Sequence, residues 1–391
     1  MPEALISSPV GALAVLAGVA SLFFFLENKT GWRFFNFFPP LIFIYLIPVI
    51  LSNTGVIPSS SPAYTWMRST VLPMILTLLL LKVDVAAAFR VMGKGVFVML
   101  FGTLGVVVGA PIAYLVVKAG MSPDGWKAFG VLSGSWIGGT GNMAAVSEMI
   151  DAQGTEFGLA VLGDTVVYIV CLPIMLASKS LAGVFARFSR ASADRLAKME
   201  EAAKALQRDE GKVELYHYLY LFFIGLGVTW VAGGIADRLP ELPPYVSTGT
   251  WRILIVTTLG ISLSLTPLRR IPGSFELAMG LIYLFVARMG ASADLGGVAA
   301  QAPAFLAGGF IWIFIHGAFC LLGAKLFRVD VHTAAIASAA NIGGAASAPI
   351  VAAYHSKSLV PASILLALIG YAVGNYAGYL TAILCRFVGQ L

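Results

Sequence analysis

The stretch "SWIGGTGNMAAVSE", residues 135–148, places glycines, a threonine and an asparagine in the middle of an apolar segment. A second stretch, "ANIGGAAS" at residues 340–347, repeats its Ile-Gly-Gly core. Downstream of each, "LAVLGDTV" at residues 159–166 and "LALIGYAV" at residues 366–373 share Leu, Ala, Gly and Val at the same spacing. These matches predict an internal duplication, with one interrupted apolar segment in each half.

The composition around these stretches is that of an integral membrane protein. Of the 391 residues, 59% are hydrophobic and only 11% are charged, whereas soluble proteins carry about 25% charged residues. The apolar runs are continuous, which is typical of helices and not of a transmembrane barrel. The sequence therefore predicts an all-α polytopic membrane protein with about 11 to 13 transmembrane helices in the lipid bilayer. The cell inner membrane is the expected location.

A charged stretch divides the chain into two membrane halves. Residues 1–178 form the first half, residues 179–213 the linker and residues 214–391 the second half. The linker sequence "RASADRLAKMEEAAKALQRDEG" is rich in helix formers, so it predicts a solvated helix. Its excess of Lys and Arg places it on the cytoplasmic side.

The direction of the segments is not settled by hydropathy alone. The interrupted segments, near residues 126–151 and 331–354, are the fifth and the eleventh apolar segments. With that even separation both would cross in the same direction, whereas inverted halves need opposite directions. The basic residues of the two halves also disagree about the side of the N-terminus. Either one segment does not span, or one is missed, or the repeats are parallel.

Corresponding glycine-interrupted segments in two halves are typical of secondary transporters. A helix that breaks inside the bilayer exposes N–H and C=O groups, which is tolerated only where they face protein, water or an ion. The alternative is close packing of helices through small residues. Packing explains Gly138 and Gly139 but not the adjacent Thr140 and Asn142.

The sequence "GGTGN" at residues 138–142, followed by "LAVLGDTVVYIVCLPIM", resembles the crossing-helix motif and the next core helix of bile acid:sodium symporters. The chain as a whole resembles the YjcL-like family of membrane proteins, within the cation:proton antiporter and anion transporter superfamily. This resemblance implies two inverted repeats with crossed, broken helices. It also implies a core domain beside a panel domain that scaffolds or dimerises, so a homodimer is expected.

Carried onto this sequence, the resemblance implies a cation site at the two breaks. Its expected cation-binding and coupling residues are Thr140, Asn142, Ser147, Asp164, Thr165, Asn341 and Ser347. The expected helix-break glycines are Gly138, Gly139, Gly141, Gly343 and Gly344. Sodium is expected at Asn142, Asp164 and Asn341, and no other cofactor is expected.

The residues themselves favour the same kind of site. Amide, hydroxyl and carboxylate oxygens are hard ligands that suit sodium, and an acid inside an apolar helix indicates function by default. The alternative for Asp164 is a structural partner of a buried arginine or hydroxyl group. Arg288 and Asp294, which flank "MGAS", are expected to pair at a helix end.

Several other classes are excluded by missing motifs. "GGTGN" lacks the lysine of a phosphate-binding loop, and no HExxH, GxSxG or paired catalytic aspartates occur in apolar segments, so no enzyme is expected. Three widely spaced cysteines predict neither disulfides nor a zinc site. The sequence has no basic stripe with interleaved aromatic residues, so nucleic-acid binding is not expected.

The sequence therefore predicts a secondary active transporter. A sodium or proton gradient would drive a small organic solute, an organic anion, by alternating access. A sodium/proton antiporter using Asp164 is the first alternative, and a non-transporting sensor or scaffold is the second.

Overall fold

The computed structural model describes residues 4–36, 39–152, 154–192, 194–205 and 212–391. This part of the chain is helical and contains no strand, apart from an isolated bridge between Leu242 and Val246. Among the described residues, eight helical runs are long and apolar enough to cross a membrane. The predicted class, an all-α polytopic membrane protein, is confirmed.

The helices of the first half are α1 (Pro9–Thr30), α2 (Pro40–Asn53), α3 (Pro62–Trp66), α4 (Leu72–Leu80), α5 (Val85–Met92), α6 (Gly95–Val117), α7 (Gly125–Gly138), α8 (Thr140–Met149) and α9 (Gly154–Ala177). A π-helical turn, Met67–Val71, joins α3 to α4 into one rod. The linker holds α10 (Ala182–Ser189) and α11 (Arg195–Ala205). The second half contains α12 (Leu215–Ala236), α13 (Thr248–Ser264), α14 (Ser274–Ala291), α15 (Leu295–Phe327), α16 (Val331–Ile342), α17 (Gly344–His355) and α18 (Val360–Gly389).

Side-chain caps fix where several helices begin. The Ser8 side chain accepts a hydrogen bond from Gly11 N at the start of α1, and Asp330 caps α16 by accepting from Thr333 N. Asp294 accepts hydrogen bonds from Gly296 N and Gly297 N at the start of α15. Such caps satisfy N–H groups that the first turn of a helix leaves unpaired. Asp294 therefore caps α15, and the expected ion pair between Asp294 and Arg288 is not seen.

Contacts between helix ends define two faces. The face that carries the linker helices α10 and α11 is called the linker face, and there Arg269 pairs with Asp84 at 3.0 Å. At the opposite face, called the far face, Arg68 pairs with Asp151 at 3.0 Å, and Asn53 donates to Ala293 O at 2.9 Å. Each long helix has one end in each group of contacts.

The crossing elements alternate in direction along the chain. Those that run from the far face to the linker face are α1, the α3–α4 rod, α9, α13 and α15. Those that run from the linker face to the far face are α2, α6, α12, α14 and α18. Eight of these are the long apolar runs, and α2 and α13 are the two shorter helices. Each half therefore supplies five elements, but the first half starts at the far face and the second at the linker face.

The two interrupted segments do not cross. Lys127 Nζ, near the start of α7, donates to Asp151 O, just after α8, at 3.2 Å. Likewise, His332 and His355, at the two ends of α16 and α17, bring their Nδ1 atoms to 2.9 Å. Residues 125–149 are therefore hairpin 1, which enters and leaves at the far face, and residues 331–355 are hairpin 2, which does so at the linker face.

This arrangement differs from the expected crossed helices and removes the conflict over direction. One apolar segment in each half does not span, because the chain reverses at its glycines. The two hairpins consequently enter from opposite faces.

The linker helix α11 is not fully solvated as expected. Met199 and Ala203 are buried, and Thr333 Oγ1 of hairpin 2 donates to Met199 Sδ at 3.3 Å. Arg195 pairs with Asp330 at 3.3 Å. One side of α11 therefore packs on the mouth of hairpin 2. The predicted helix also covers residues 206–211, which lie outside the described residues.

Candidate functional site

The tips of the two hairpins touch. A Cβ atom added at Gly344 would lie 3.1 Å from Gly138 O and 3.3 Å from Gly139 Cα. Gly139, with φ 109° and ψ −171°, and Gly344, with φ 55°, take backbone conformations that favour glycine. The N-termini of α8 and α17 and the C-termini of α7 and α16 therefore meet between the faces, where their partial charges attract ions of both signs.

Asp164, near the middle of α9, is held by hairpin 1. Its carboxylate accepts a hydrogen bond from Ser135 Oγ at 3.0 Å and from Trp136 Nε1 at 2.9 Å. Both donors lie in α7, within one turn of the tip. Among the described residues no lysine, arginine or histidine forms an ion pair with Asp164. The carboxylate is therefore oriented by neutral donors next to the hairpin contact.

Asn142, in the first turn of α8, is buried and only partly satisfied. Its Nδ2 donates to Tyr371 O at 2.9 Å and to Asn375 Oδ1 at 2.7 Å, and Asn375 Nδ2 donates in turn to Thr257 Oγ1 at 2.7 Å. The Oδ1 atom of Asn142 is buried without a hydrogen-bond partner. Leaving such an acceptor unpaired costs about 1 to 3 kcal/mol, so this oxygen is suited to a cation.

The other predicted residues of the first half occupy three separate places. Thr140 begins α8 at the tip of hairpin 1. Ser147 is buried toward the far-face end of α8 and lines a cavity there. Thr165 Oγ1 donates to Val161 O of its own helix at 2.9 Å. Only Thr140 therefore joins Asn142 at the tip.

The predicted residues of the second half are also separated. The buried Asn341 amide contacts α6, where its nitrogen donates to Met99 O at 2.9 Å and its oxygen accepts from Thr103 Oγ1 at 2.9 Å. The structure therefore does not bring Asn341 to Asn142 or Asp164. Ser347, one turn into α17, lies beside Gly343.

Tyr168 is a site residue that the sequence did not reveal. It lies one turn after Asp164 on α9, and its ring lies beside Gly343 at the tip of hairpin 2. Its hydroxyl group is buried and lies near Ser347 of hairpin 2. One face of α9 thus presents a carboxylate to hairpin 1 and a hydroxyl group to hairpin 2.

The groups at the contact are oxygens of amides, hydroxyls, backbone carbonyls and one carboxylate. Among the described residues, no group of three or more His, Cys, Asp or Glu side chains is placed to hold a metal ion. This donor set suits sodium or a proton better than a transition metal, which prefers imidazole or thiolate ligands.

A histidine pair closes the mouth of hairpin 2 outside the crossing helices. The Nδ1 atoms of His332 and His355 are 2.9 Å apart, and His355 Nε2 lies 3.0 Å from Met175 O. One ring must be neutral for the two Nδ1 atoms to share a hydrogen. Burial lowers the pKa of both imidazoles from 6.5.

Acidification is expected to destabilise this mouth. Since the folded pKa values lie below 6.5, the unfolded chain binds more protons in that range. The contribution of the two neutral histidines to the stability of the folded protein is therefore present above their unfolded pKa of 6.5 and is lost as pH falls. The Tm of purified protein should drop by a few degrees between neutral and mildly acidic pH. His332→Gln should reduce this drop, whereas His217→Gln, in the first turn of α12, should not. Equal drops in both variants would contradict the pair's role.

The chain is similar to known proteins over most of its length. A family model described as "Protein of unknown function (DUF819)" matches residues 14–387. "Uncharacterized membrane protein YjcL" of Bacillus subtilis (strain 168) is 27% identical over 339 residues, which cover 84% of this chain and 85% of that protein.

Proposed function

The chain belongs to the DUF819 family, and from this premise and the geometry of its hairpins we propose that it is a secondary active transporter. A sodium or proton gradient would drive a small organic anion across the membrane by alternating access. Similarity to YjcL extends along most of the chain. The resemblance to bile acid:sodium symporters rests on the short motifs alone.

The observation that carries this proposal is the contact between the two hairpin tips. A helix break within the bilayer is costly, several kcal/mol for each unpaired backbone group, unless the freed groups face protein, water or an ion. Here two breaks from opposite faces converge beside Asp164 and the unpaired Oδ1 of Asn142. In known transporters, paired broken helices of this kind hold ions and substrate near the bilayer midplane.

We propose further that the two halves are inverted repeats. Both have the same order of elements, with a hairpin between the last two crossing helices, and they run in opposite directions. Such halves can exchange conformations, so that a site between them opens first to one face and then to the other.

The core would consist of the hairpins with α6, α9, α15 and α18, and the panel of α1–α4 and α12–α14. An ion pair of 2.6 Å between Arg68 of the panel and Glu148 of hairpin 1 joins the two. If the core moves relative to the panel, this ion pair must break, or the Arg68 side chain must follow Glu148. The panel is also the expected surface of a homodimer.

For the ions, we propose that Asn142 Oδ1 is a sodium ligand and that Asp164 is the group that exchanges a proton. Sodium/proton antiport is the alternative, and the neutral hydrogen-bond partners of Asp164 favour it. In the part of the chain that the structure describes, no lysine, arginine or histidine forms an ion pair with this carboxylate.

We propose that the linker face is cytoplasmic, in the cell inner membrane. Most basic residues of the described chain lie at this face. They are Lys29, Lys82, Arg90, Lys94, Lys179, Arg187, Arg190, Arg195, Lys198, Lys204, Lys212, Arg269, Arg270, Lys325, Arg328 and Lys357. The far face has Arg68, Lys118, Lys127, Arg238, Arg252, Arg288 and Arg386. The charges of both halves then agree, because neither hairpin crosses.

The proposal is tested by flux in proteoliposomes of controlled sidedness with an internal pH dye. Sodium-dependent accumulation of an organic anion is expected, and proton movement on adding sodium without any solute would establish antiport. In either case Asn142→Ala should raise the sodium concentration for half-maximal rate about tenfold, whereas the exposed Asn28→Ala should not. No flux and no sodium-dependent rise in Tm would overturn the proposal in favour of a sensor or scaffold.

A further inference from the structure

A cavity of about 520 Å³ opens on the far face between core and panel. Ser147 and Glu148 of α8 line one wall, and Phe285 and Arg288 of α14 line another. Arg68 of the α3–α4 rod also faces it. Its volume lies within the usual range for small-molecule sites, roughly 300 to 1,000 Å³.

Arg288 has unused hydrogen-bonding capacity in this cavity. Its Nη1 contacts Met289 Sδ at 2.7 Å, and its guanidinium lies 5.7 Å from the centre of the Phe285 ring. Its Nε is buried without a hydrogen-bond partner, and among the described residues no carboxylate pairs with it. A guanidinium has five N–H donors in a planar fork that matches a carboxylate.

The two other arginines that line the cavity already have carboxylate partners. Arg68 already forms ion pairs with Glu148 at 2.6 Å and with Asp151 at 3.0 Å. Arg252, a third lining arginine, reaches Asp237 only at 3.6 Å, and its Nε is also without a hydrogen-bond partner. Among the described residues Arg288 is therefore the one lining arginine without a carboxylate partner, and its unpaired guanidinium can bind an anion.

The remaining wall is polar. The lining hydroxyl groups outside hairpin 1 belong to Ser59, Ser60, Ser61, Tyr64, Thr65, Ser69 and Ser292. Hydroxyl groups suit a ligand whose body carries hydroxyl or carbonyl groups, and Phe285 leaves one apolar surface beside Arg288. Tyr64, Ser69 and Ser292 already donate to backbone carbonyls. A large steroid-like or fatty body would therefore lose hydrogen bonds mainly at the other hydroxyl groups, at a cost in affinity.

We infer that this cavity binds a small, polar organic carboxylate, with Arg288 as the bidentate ligand of the carboxylate group. The inference rests on the proposed transport function and names its substrate class. Ser147 and Glu148 lie at one end of α8, and Thr140 and Asn142 lie at the other. Because one short helix carries both groups, an anion in the cavity and a cation at the tip would affect each other's binding.

The test is the rise in Tm of purified full-length protein with acetate, lactate, malate and gluconate, each compared with its uncharged amide. At least one of the hydroxylated carboxylates should stabilise the wild type and its amide should not. Arg288→Gln should weaken that binding about tenfold or more, and Arg288→Lys, which keeps the charge but loses the fork, should fall between. The exposed Arg238→Gln on the same face should bind like the wild type.

The inference is overturned if none of the three hydroxylated carboxylates stabilises the wild type, or if Arg288→Gln binds as tightly as the wild type. Octanoate is added as an apolar carboxylate, and tighter binding of octanoate than of gluconate would overturn the polar substrate class. Sodium-dependent stabilisation of Arg288→Gln without any carboxylate shows that this variant is folded. Sodium-coupled flux without Arg288-dependent binding would defeat this inference alone, whereas Arg288-dependent binding without any coupled flux would defeat the proposed function alone.

Discussion

Replacing Asp164 with asparagine is expected to reduce ion-coupled transport on the order of 100-fold or more, because proton transfer by a positioned side chain contributes effects of that size. Asparagine keeps the shape of the side chain but can neither release a proton nor carry a charge. Its single acceptor oxygen can serve Ser135 or Trp136, and losing the other hydrogen bond costs only about 1 kcal/mol. The variant should therefore fold and still fail to couple.

The measurement is the initial rate of flux in proteoliposomes, together with the Tm in the presence and absence of sodium. Asp124→Asn is the matched control, since this aspartate lies at the far face with a 59% exposed side chain. It should transport like the wild type. If Asp164→Asn retains the flux and the sodium-dependent rise in Tm of the wild type, the proposal of an ion site at the hairpin contact is wrong.

Substituting alanine at Gly139 is expected to have the largest effect on the fold of the site. At φ 109° and ψ −171° an L side chain is strained by about 1 to 3 kcal/mol. The new Cβ would also lie 3.3 Å from Tyr371 Oη. Relief of this strain must move the tip of hairpin 1 and with it the N-terminus of α8. A Tm lower by several degrees and a loss of most flux should follow.

Gly280→Ala provides the comparison, because Gly280 lies within α14, has no positive φ and has no atom within 4 Å of the added Cβ. Alanine at such a helical site is neutral or stabilises by about 0.4 to 1 kcal/mol. Thermal unfolding and flux of the two variants should therefore diverge. Equal Tm values for Gly139→Ala and Gly280→Ala would mean that the hairpin does not turn as described.

Hydropathy and the glycine motifs were sufficient to predict the membrane class and the positions of both breaks. They could not show that the interrupted segments turn back. Residues 126–151 are long enough to span, and the reversal depends on the backbone angles of Gly139, which the sequence shows only as a glycine. The same ambiguity produced the conflict over direction, which disappears once one segment of each half is a hairpin.

The candidate site was predictable where a residue is unusual for its surroundings. An aspartate and an asparagine are rare inside apolar helices, so Asp164 and Asn142 could be named from sequence. Their partners Trp136 and Asn375, and the neighbouring Tyr168, could not be named, because a tryptophan, a tyrosine or a helix amide more often only packs. Arg288 was expected to pair with its sequence neighbour Asp294, but that carboxylate caps α15 instead.

The contact between the hairpin tips has an electrical consequence. Both hairpins have their mouths at a face, so in the proposed transport cycle the two aqueous phases would be separated most narrowly where Gly344 meets Gly138. The transmembrane voltage falls mainly across such a narrow septum. An ion that passes from one side of the tips to the other would traverse most of the potential, worth about 2.3 kcal/mol per elementary charge at 100 mV. A glycine contact a few ångströms across would thus set how strongly the cell's membrane potential drives the transport cycle.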